Sequence, residues 1–566
     1  MRIVRINMNT LTSRDEDLPD DRNVVGGRAL TAKILNAEVS PKADPLGKEA
    51  KLVIATGPLA GTIAPSLGRL SVGAKSPLTQ GIKEANAGGP AGQKLDKLGI
   101  RAIVVEGAPA DDKLYVATIS KDGVSFEAAD AYRGLGNYEL VAALREKCND
   151  TVSIISIGPI GERKQKSATV AFTDKDGHPS RHAARGGMGA VMGAKGLKAI
   201  IVDDAGTPDV EIGDKKSFRG AVKAWAETLK EERMFKVCQA YGTPGFIGAL
   251  SGLGSMPSKN YTGEPTEGIE NIYGEALKEK NTERGGKMDG CMPGCLIRCS
   301  IVFNDADGKH VTSAIEYETF GLMGTNLGVA DLDAIAGFER RCDNMGIDTI
   351  ELGSALGVAS SAGKFEMGDA GAVANLLSEV EQGTDFGATL ANGVVSTAKA
   401  LGVTRIPAFK GQGIPAHDPR VGKPTGVTYA TSPMGADHTA GTKYEMEDEG
   451  AVEHSLKEQI VMATVDAMGL CYFATTLDRK ILMEFLKELL NARYGLNLTA
   501  DDVVDVGRDT LRGEMKFNAE AGFVDANDPD PEFIRVEPVP PMDMVFGVPA
   551  EEMAKIWDNL DTVSIF

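Results

Sequence analysis

The cysteine pattern is the feature that most constrains how this chain folds. Cys291, Cys295 and Cys299 lie within nine residues, and Cys471 stands far downstream. Four thiolates are what an iron–sulfur cluster requires, so a chain that binds one must bring residue 471 back against the 291–299 segment. Zinc also takes four thiolates, although its structural sites usually pair two short knuckles. A third interpretation of the pattern is that the cysteines are buried free thiols. The spacing favours the cluster, and with it a redox enzyme.

Length and composition indicate a globular protein of several domains. A chain of 566 residues predicts about three or four domains, and 42% hydrophobic with 25% charged residues is an ordinary balance. The net charge of -19 argues against nucleic-acid binding. No segment has the apolar length of a membrane span, and the N-terminus lacks a signal-peptide core. Since the cysteine count of 7 is odd and no export signal is present, we expect a reducing cytoplasm.

The hydrophobic pattern changes character near residue 210. Before it, short β-type runs alternate with glycine turns, at 51–59, 100–107, 113–119, 152–161 and 197–204. After it, segments such as 216–242 and 477–495 show helical spacing of apolar residues. We predict an α+β fold with a β-rich N-terminal domain over 1–206, followed by two mainly α-helical domains over 207–410 and 411–566. The glycine- and proline-rich stretch 406–427 lies at the second boundary.

Three glycine-rich segments of the first domain indicate an anionic ligand. Residues 185–195 (RGGMGAVMGAK) are close to a dinucleotide fingerprint but lack its βαβ context, so they predict a general anion-binding turn beside Arg185 and Lys195. A close backbone crossing is the alternative. The other two segments are 26–30 (GGRAL) and 57–89. Each combines permissive backbone with a cation or an amide, as a bulky phosphorylated heterocycle requires.

A short motif occurs twice in the helical part of the chain. Asp343-Asn-Met-Gly-Ile-Asp348 and Asp466-Ala-Met-Gly-Leu-Cys471 both read D-x-M-G-[IL]-[DC]. Chance similarity of two helix ends is one explanation. The shared Asp, Met and Gly favour another, in which two equivalent halves of one ligand are each held by a carboxylate and nearby backbone N–H groups. The second copy ends at the cysteine that the cluster requires.

Taken together, these motifs resemble the tungsten-dependent aldehyde ferredoxin oxidoreductases. The resemblance covers nearly the whole chain, through GGRAL, GPL…GRL…KSPLT…N-x-GG, ARGGMGAVMGAKGLKAI, the cysteine group, the paired D-x-x-G motifs and GADH. It implies tungsten, or molybdenum in some relatives, held between two pterins beside one [4Fe–4S] cluster. It also implies that the β-rich domain forms a base for the bis-pterin, with two helical domains above it.

The resemblance assigns roles to individual residues. Residues at the pterin phosphates and their Mg²⁺ would be Arg69, Asn86, Arg185, Gly186 and Gly187. Asp343 and Asp466 would be pterin-binding carboxylates, with Asp348 and Leu470 in the same two turns. The cluster ligands would be Cys291, Cys295, Cys299 and Cys471. This chain departs from the usual Cys-x-x-Cys-x-x-x-Cys by one extra residue between Cys291 and Cys295, beside Pro293-Gly294.

Glu318 and His438 match the family's catalytic Glu and His. We expect Glu318 to be the general base, with a pKa raised toward neutrality by a dry pocket. His438, in the segment Met434-Gly-Ala-Asp-His438, would be a donor that polarises the carbonyl or a metal oxygen. Glu316 and Tyr317 are expected to support the site. The sequence gives the remaining histidines no such setting, so they are assigned structural roles: His178, His182, His310, His417 and His454.

The expected activity is oxidation of an aldehyde to a carboxylic acid, with electrons passing through the cluster to ferredoxin or a ferredoxin-like subunit. A second hypothesis is a catalytic subunit of a tungsten complex that reduces aromatic acyl-CoA thioesters. A third is a non-catalytic subunit that carries a cluster or zinc, against which the glycine and D-x-x-G motifs argue. A homodimer is a working hypothesis that no sequence feature decides. The sequence encodes neither the substrate nor the choice between tungsten and molybdenum.

Overall fold

A computed structural model describes residues 1–19, 24–476, 478–522 and 530–566. The strands are β1 (Arg2–Asn7), β2 (Thr12–Asp17), β3 (Leu52–Thr56), β4 (Leu70–Lys75), β5 (Ile82–Ala87), β6 (Ile100–Glu106), β7 (Tyr115–Ser120), β8 (Gly123–Ala128), β9 (Ser153–Ser156), β10 (Val170–Phe172), β11 (Arg181–Ala183), β12 (Leu197–Val202), β13 (Lys287–Asp289), β14 (Ser300–Asn304), β15 (His310–Thr312), β16 (Ala408–Phe409) and β17 (Gln412–Gly413). All five predicted β runs contain a strand.

Helices dominate the chain after residue 210. They are α1 (Gly27–Glu38), α2 (Ala91–Lys97), α3 (Asn137–Lys147), α4 (Pro159–Glu162), α5 (Met188–Ala194), α6 (Lys215–Glu231), α7 (Arg233–Tyr241), α8 (Ile247–Gly252), α9 (Gly274–Glu283), α10 (Tyr317–Thr319), α11 (Leu332–Met345), α12 (Thr349–Ser361), α13 (Ala370–Gln382), α14 (Asp385–Ala391), α15 (Val394–Leu401), α16 (Lys423–Thr431), α17 (Ala451–Met468), α18 (Arg479–Tyr494), α19 (Ala500–Ala521), α20 (Glu532–Val536) and α21 (Ala550–Met553). The predicted α+β fold, β-rich first and mainly helical afterwards, is confirmed. The domain boundaries at 206 and 410 remain predictions.

The N-terminal region is built from two six-stranded sheets of the same design. Their strand orders are β2-β1-β6-β3-β4-β5 and β8-β7-β12-β9-β10-β11. In each sheet one pair is parallel, β1 with β6 and β7 with β12, and the other neighbours are antiparallel. The region is therefore an internal duplication, which the sequence analysis did not find.

The helices of this region repeat in the same order. α1 follows β2 and α3 follows β8, while α2 precedes β6 and α5 precedes β12. We call residues 1–106 the first half and residues 115–202 the second half. The central strands β3, β6, β9 and β12 are buried almost throughout, as expected of strands covered on both faces.

Helix α17 connects the helical part of the chain to the first half. Most of its 18 residues are buried, and it packs against α1, α16 and α19. A helix buried on all sides lies in the core rather than on the surface. Its C-terminal end therefore holds the second D-x-M-G motif in a fixed position against the first half.

Two further sequence predictions are clarified by the structure. The segment 216–242 forms two helices, α6 and α7, and most of 477–495 forms α18, with Leu477 outside the described residues. In the described part of the chain, no helix combines the length and the apolar content needed to cross a membrane.

Candidate active site

Both D-x-M-G motifs are the C-terminal ends of helices. Gly346, with φ 73°, follows the last residue of α11 and caps it, and Gly469, with φ 68°, caps α17 in the same way. Both values lie in the left-handed region, where glycine carries no steric penalty and closes a helix. The glycine of the motif is therefore a helix cap, and the Asp three residues earlier lies in the last helical turn.

Each motif pairs with one half of the N-terminal region. Backbone bridges join Leu470 to Leu67 in the first half and Ile347 to Ala168 in the second. The next residue continues the pattern, because the N–H of Cys471 donates to the Ser66 carbonyl at 3.0 Å and that of Asp348 to the Ser167 carbonyl at 3.0 Å. The two motifs thus occupy equivalent places on a duplicated base.

Two glycines allow this close approach. A Cβ on Gly57 would lie 2.0 Å from the Met468 carbonyl oxygen, and a Cβ on Gly158 would lie 2.1 Å from that of Met345. Neither position has room for a side chain. This explains the Gly-Pro that begins GPL at 57–59 and recurs as GPI at 158–160.

The two motif carboxylates have different partners. Asp466 accepts from Asn86 Nδ2 at 3.0 Å and lies 3.3 Å from Arg28 Nη1. Burial raises the pKa of Asp466 to about 6, against the opposing charges of Arg28 and Arg69. Asp343 instead meets two side chains that the sequence analysis did not select. His182 Nε2 lies 3.1 Å from Asp343 Oδ1, and the Tyr138 hydroxyl donates to Oδ2 at 3.4 Å.

The predicted phosphate contacts divide into two groups. Arg69 and Asn86 are half-buried and bonded to each other, with Arg69 Nη2 donating to the Asn86 carbonyl at 2.9 Å. Arg185 is buried, and its guanidinium donates to the carbonyls of Ala436 at 2.7 Å and Gly413 at 2.8 Å. It also lies 3.2 Å from Asp348. Through its bond to Ala436, Arg185 holds the 436–438 loop in place. Its contact with phosphate remains a prediction.

Gly186 and Gly187 form the turn that leads into α5. Both have left-handed backbone angles, with φ 82° and 79°. A Cβ on Gly186 would lie 2.4 Å from Lys83 Cγ, and one on Gly187 would lie 2.3 Å from the Lys166 carbonyl. Both glycines are thus required by close packing, which is the alternative that the sequence analysis kept open beside anion binding.

The four predicted cluster ligands lie in one electrostatic environment. Burial raises the pKa of the Cys299 thiol, and the charges of Cys291 and Cys471 raise it further. Burial likewise raises the pKa of Cys471, which Arg69 opposes. A fifth thiol that the sequence analysis did not select, Cys238 on α7, is also buried and acts on Cys299.

The thiols are not gathered around one tetrahedral ion in the described structure. Thiolates around one tetrahedral zinc lie only about 4 Å apart, given its bond length. Among the described residues, the one set of three or more ligand atoms that all lie within 4.8 Å of one another is Glu318, His417 and His438, without any cysteine. No three of these thiols therefore surround a single point in the described structure, and their role as ligands of an iron–sulfur cluster remains a prediction.

Glu318 lies between two imidazoles. Its Oε1 is 2.9 Å from His417 Nε2 and 3.5 Å from His438 Nε2, and its Oε2 accepts from the Ala416 N–H at 2.7 Å. The two imidazole rings are 5.1 Å apart between centroids. His417 thus contacts the predicted catalytic carboxylate, a contact that the sequence analysis did not predict because no motif surrounds this histidine.

The expected rise in the pKa of Glu318 is also wrong. Burial alone would raise that pKa, but the charges of His438 and His417 and the N–H of Ala416 outweigh it and lower the pKa to about 2. Glu318 is therefore an ionised carboxylate at neutral pH. Burial lowers the pKa of His438, which favours its neutral form, and its Nδ1 is buried without a hydrogen-bond partner among the described residues.

The backbone around Glu318 and His438 is held firmly. Glu318 lies in the short helix α10, directly before a π-helical turn at Phe320–Gly324, a feature frequent at functional sites. His438 begins a 3-10 turn capped by Asp437, and the fully buried Lys83 forms an ion pair with Asp437. Side chains of the first half and of the helical part thus position the two predicted catalytic residues.

The residues also fit the larger cofactor that the resemblance implies. Two equivalent turns, each with a buried carboxylate, lie on the two halves of the base, with the half-buried Arg69 and Asn86 beside one of them. The Nδ1 of His438 is buried without a hydrogen-bond partner among the described residues, which leaves it available to hydrogen-bond a bound molecule.

Family models cover most of the chain. Residues 3–204 match the model for the aldehyde ferredoxin oxidoreductase N-terminal domain, and residues 220–556 match the model for domains 2 and 3 of the same enzymes.

Known proteins of similar sequence agree with these models. The tungsten-containing aldehyde ferredoxin oxidoreductases of Pyrococcus furiosus and Thermococcus kodakarensis are each 32% identical, over 95% of this chain and 92% of theirs. The WOR-like subunit of an aliphatic sulfonate oxidoreductase from Pyrococcus furiosus is 27% identical over 88% of this chain and 82% of its own. Among solved structures, the active-site complex BamBC of benzoyl coenzyme A reductase shares the fold, with a TM-score of 0.82 and 17% identity over 100% of this chain and 94% of that one.

Proposed function

This chain belongs to the aldehyde ferredoxin oxidoreductase family of tungsten oxidoreductases, and from that premise we propose that it oxidises an aldehyde to a carboxylic acid. Electrons leave through a [4Fe–4S] cluster at Cys291, Cys295, Cys299 and Cys471 and pass to ferredoxin or a ferredoxin-like subunit. The ionised Glu318 between His417 and His438 is the observation that carries the proposal.

The cofactor would be held between the two D-x-M-G turns and the duplicated base. Asp343 and Asp466 would bind the two pterins, with Arg69, Asn86 and the Gly186-Gly187 turn at the phosphates and their Mg²⁺. When bound, a tungsten bis-pterin centre supplies a two-electron acceptor for the substrate.

Glu318 performs the proton transfer in this proposal. Oxidation of an aldehyde, with water as the source of the added oxygen, yields the acid, two electrons and two protons, so a base must receive protons near the carbonyl carbon. Glu318 is ionised and able to accept one. The neighbouring imidazoles and the Ala416 N–H lower its pKa to about 2, so the carboxylate is ionised before each turnover.

His438 orients the substrate. Its imidazole has one nitrogen 3.5 Å from Glu318 and the other without a hydrogen-bond partner among the described residues. A neutral ring can donate a hydrogen bond from one nitrogen while it accepts at the other. We assign its unpartnered Nδ1 to the substrate or its hydrate, held beside the Glu318 carboxylate.

The experiment begins with anaerobic purification and analysis of tungsten, molybdenum, iron, zinc and pterin. The preparation is then assayed with aldehydes and ferredoxin or a viologen dye, and separately with aromatic acyl-CoA thioesters. We expect aldehyde turnover, lowered by Glu318→Gln about 100-fold or more, as loss of a general base predicts. The control Glu453→Gln changes an exposed carboxylate of α17 and should leave turnover unchanged.

Other results would replace this proposal. Turnover of acyl-CoA without aldehyde activity, together with copurified iron–sulfur subunits, would indicate the acyl-CoA reductase. Zinc without pterin, from a host that makes both cofactors, would indicate a non-catalytic subunit.

A further inference from the structure

Arg181, on β11 of the second half, has a buried guanidinium that is only partly hydrogen-bonded. The residue is 9% exposed. Its Nη2 donates to the Ser313 carbonyl, and its Nη1 lies 3.5 Å from Glu316 Oε1. Its Nε is buried without a hydrogen-bond partner among the described residues. Buried donors are nearly always paired, so this N–H on a permanently charged group is available for a ligand.

The Ser313 carbonyl connects Arg181 to one end of the cysteine group. The same oxygen also accepts from the Ser300 hydroxyl at 2.9 Å. Ser300 follows Cys299 directly in the chain. The guanidinium therefore lies beside the backbone that carries Cys299.

A second set of contacts connects Arg181 to Cys291. Arg181 pairs with Phe172 across the antiparallel strands β10 and β11. A Cβ on Gly89 would lie 3.7 Å from Phe172 Cβ, and a Cβ on the preceding Gly88 would lie 2.8 Å from Cys291 Sγ. The strand pair that carries Arg181 thus packs against the same glycines as the Cys291 thiol.

The charges around Arg181 agree with this placement. Burial lowers the pKa of Arg181, but nearby negative charges outweigh burial and raise it, and these come, largest first, from Cys291, Glu316, Asp174 and Cys299. Two of these four groups are predicted cluster ligands.

Glu316 compensates the positive charge of Arg181 only in part. Its Oε1 is 3.5 Å from the guanidinium, which is longer than a close ion pair, and its Oε2 accepts from the Thr243 hydroxyl at 2.7 Å. Positive charge therefore remains for the cysteine group.

We propose that Arg181 donates a hydrogen bond from Nε to the iron–sulfur cluster of the cysteine group and raises its reduction potential. This proposal rests on the cluster of the proposed function. Reduction adds one negative charge to the cluster, and a fixed cation in a dry interior stabilises that added charge. Each electron enters the cluster and leaves to ferredoxin singly, while Arg181 keeps its proton throughout. No sequence motif selected this residue.

The first test measures the reduction potential of the cluster. Anaerobically purified protein is titrated with dithionite and mediators and followed by electron paramagnetic resonance. Arg181→Gln removes the charge but keeps an amide that can donate to the Ser313 carbonyl. At wild-type iron content, we expect it to shift the reduction equilibrium at least about tenfold toward the oxidised cluster, which is about 59 mV for one electron. Arg181→Lys keeps the charge and loses Nε, so its potential should lie between the two.

The matched control is Arg512→Met. It removes a half-exposed arginine of α19, whose charge is screened by water and salt. This variant should keep the wild-type potential.

The second test detects the hydrogen bond without Arg181→Gln. In wild-type protein labelled with ¹⁵N-arginine, electron–nuclear double resonance of the reduced cluster should show a ¹⁵N coupling. This coupling should be lost in Arg181→Lys and retained in Arg512→Met.

Either readout can overturn the proposal. An unchanged potential in iron-loaded Arg181→Gln would do so, as would a ¹⁵N coupling that is absent from the wild type or persists in Arg181→Lys. Neither readout uses an aldehyde. A wild-type protein with a cluster but without aldehyde turnover would refute the proposed activity alone, whereas aldehyde turnover with an unchanged potential in Arg181→Gln would refute only the role of Arg181.

Discussion

The first and second halves of the N-terminal region share a backbone plan but surround their D-x-M-G carboxylates differently. Asp466, on the first half, meets the guanidinium of Arg28 and the amide of Asn86. Asp343, on the second half, meets an imidazole and a phenol, from His182 and Tyr138. The backbone duplication thus preserves the position of the carboxylate, while the side chains set its charge environment independently in each half.

The residue that ends each motif shows the same divergence. Cys471 and Asp348 donate equivalent backbone hydrogen bonds to Ser66 and Ser167. Cys471 then presents a thiol toward the other cysteines. Asp348 caps α12, accepting from the Ile350 N–H at 2.9 Å, and lies 3.2 Å from Arg185. One half thus leads to the proposed electron exit, and the other holds the loop of the proposed catalytic histidine.

The largest expected effect is a difference between substitutions at Cys471 and at Asp348, the last residues of the two motifs. We expect Cys471→Ser to lower the cluster iron content and to reduce aldehyde-dependent reduction of ferredoxin by more than about 100-fold, since a four-thiolate cluster loses one ligand. Asp348→Asn keeps a capping side chain and should retain iron. Iron analysis and electron paramagnetic resonance of the reduced protein measure both. Equal iron contents in the two variants would exclude Cys471 as a ligand, and Cys148→Ser is the control for a thiol outside the group.

A smaller effect tests the charge difference between the halves. Arg28 forms a bidentate pair with Glu514 at 2.9 and 2.8 Å and a second ion pair with Asp466, and all three side chains are at least nine-tenths buried. Arg28→Met leaves two buried carboxylates unpaired and should cost about 3–5 kcal/mol of unfolding free energy. Tyr138→Phe removes one neutral donor in the second half and should cost about 1 kcal/mol.

Urea unfolding followed by circular dichroism compares these two variants. Arg512→Met is the matched control, because that arginine is half-exposed and its surface pairs should contribute about 1 kcal/mol or less. Equal costs for Arg28→Met and Tyr138→Phe would mean that the charge difference between the halves does not matter for stability.

The most gradual expected effect is a pH dependence that arises in the first half. Burial raises the pKa of Glu84 from 4.5 to about 8, and the charge of Asp466 adds to the rise against that of Arg28. The folded protein therefore keeps a proton that the unfolded chain releases. Stability from this group is full below about pH 4.5 and falls as pH rises toward 8, by at most about 1.4 kcal/mol per pH unit.

Glu84→Gln should flatten that decline. The urea midpoint of the variant, measured from pH 5.5 to 8, should change less with pH than that of the wild type. Glu127→Gln alters an exposed carboxylate and should keep the wild-type slope. A decline of equal steepness in Glu84→Gln would assign the proton to another group.

Much of the architecture followed from hydrophobic periodicity. The five β runs and the change to helices near residue 210 are confirmed because both patterns are local. The duplication was missed because its halves share strand order and glycine turns rather than residue identities, and backbone hydrogen bonding tolerates that divergence. A signal was present in the repeated Gly-Pro of 57–58 and 158–159.

The site was predicted less completely than the fold. Glu318 and His438 were selected because motifs surround them, and the structure brings them to 3.5 Å. His417 lies in the glycine- and proline-rich stretch at 406–427, where nothing local indicates a partner. The pKa of Glu318 was predicted in the wrong direction because burial was considered without the two imidazoles that oppose it.

The sequence by itself determined the family, the fold class and the two D-x-M-G turns. Each depends on the identity of residues and their spacing along the chain, and these are visible without coordinates. The tertiary structure alone decided which side chains meet. Arg28 and Glu514 stand 486 positions apart, and His417 lies about 100 positions from Glu318. Charge interactions act over a few ångströms in space whatever the distance along the chain, so partners and pKa directions become visible only after folding.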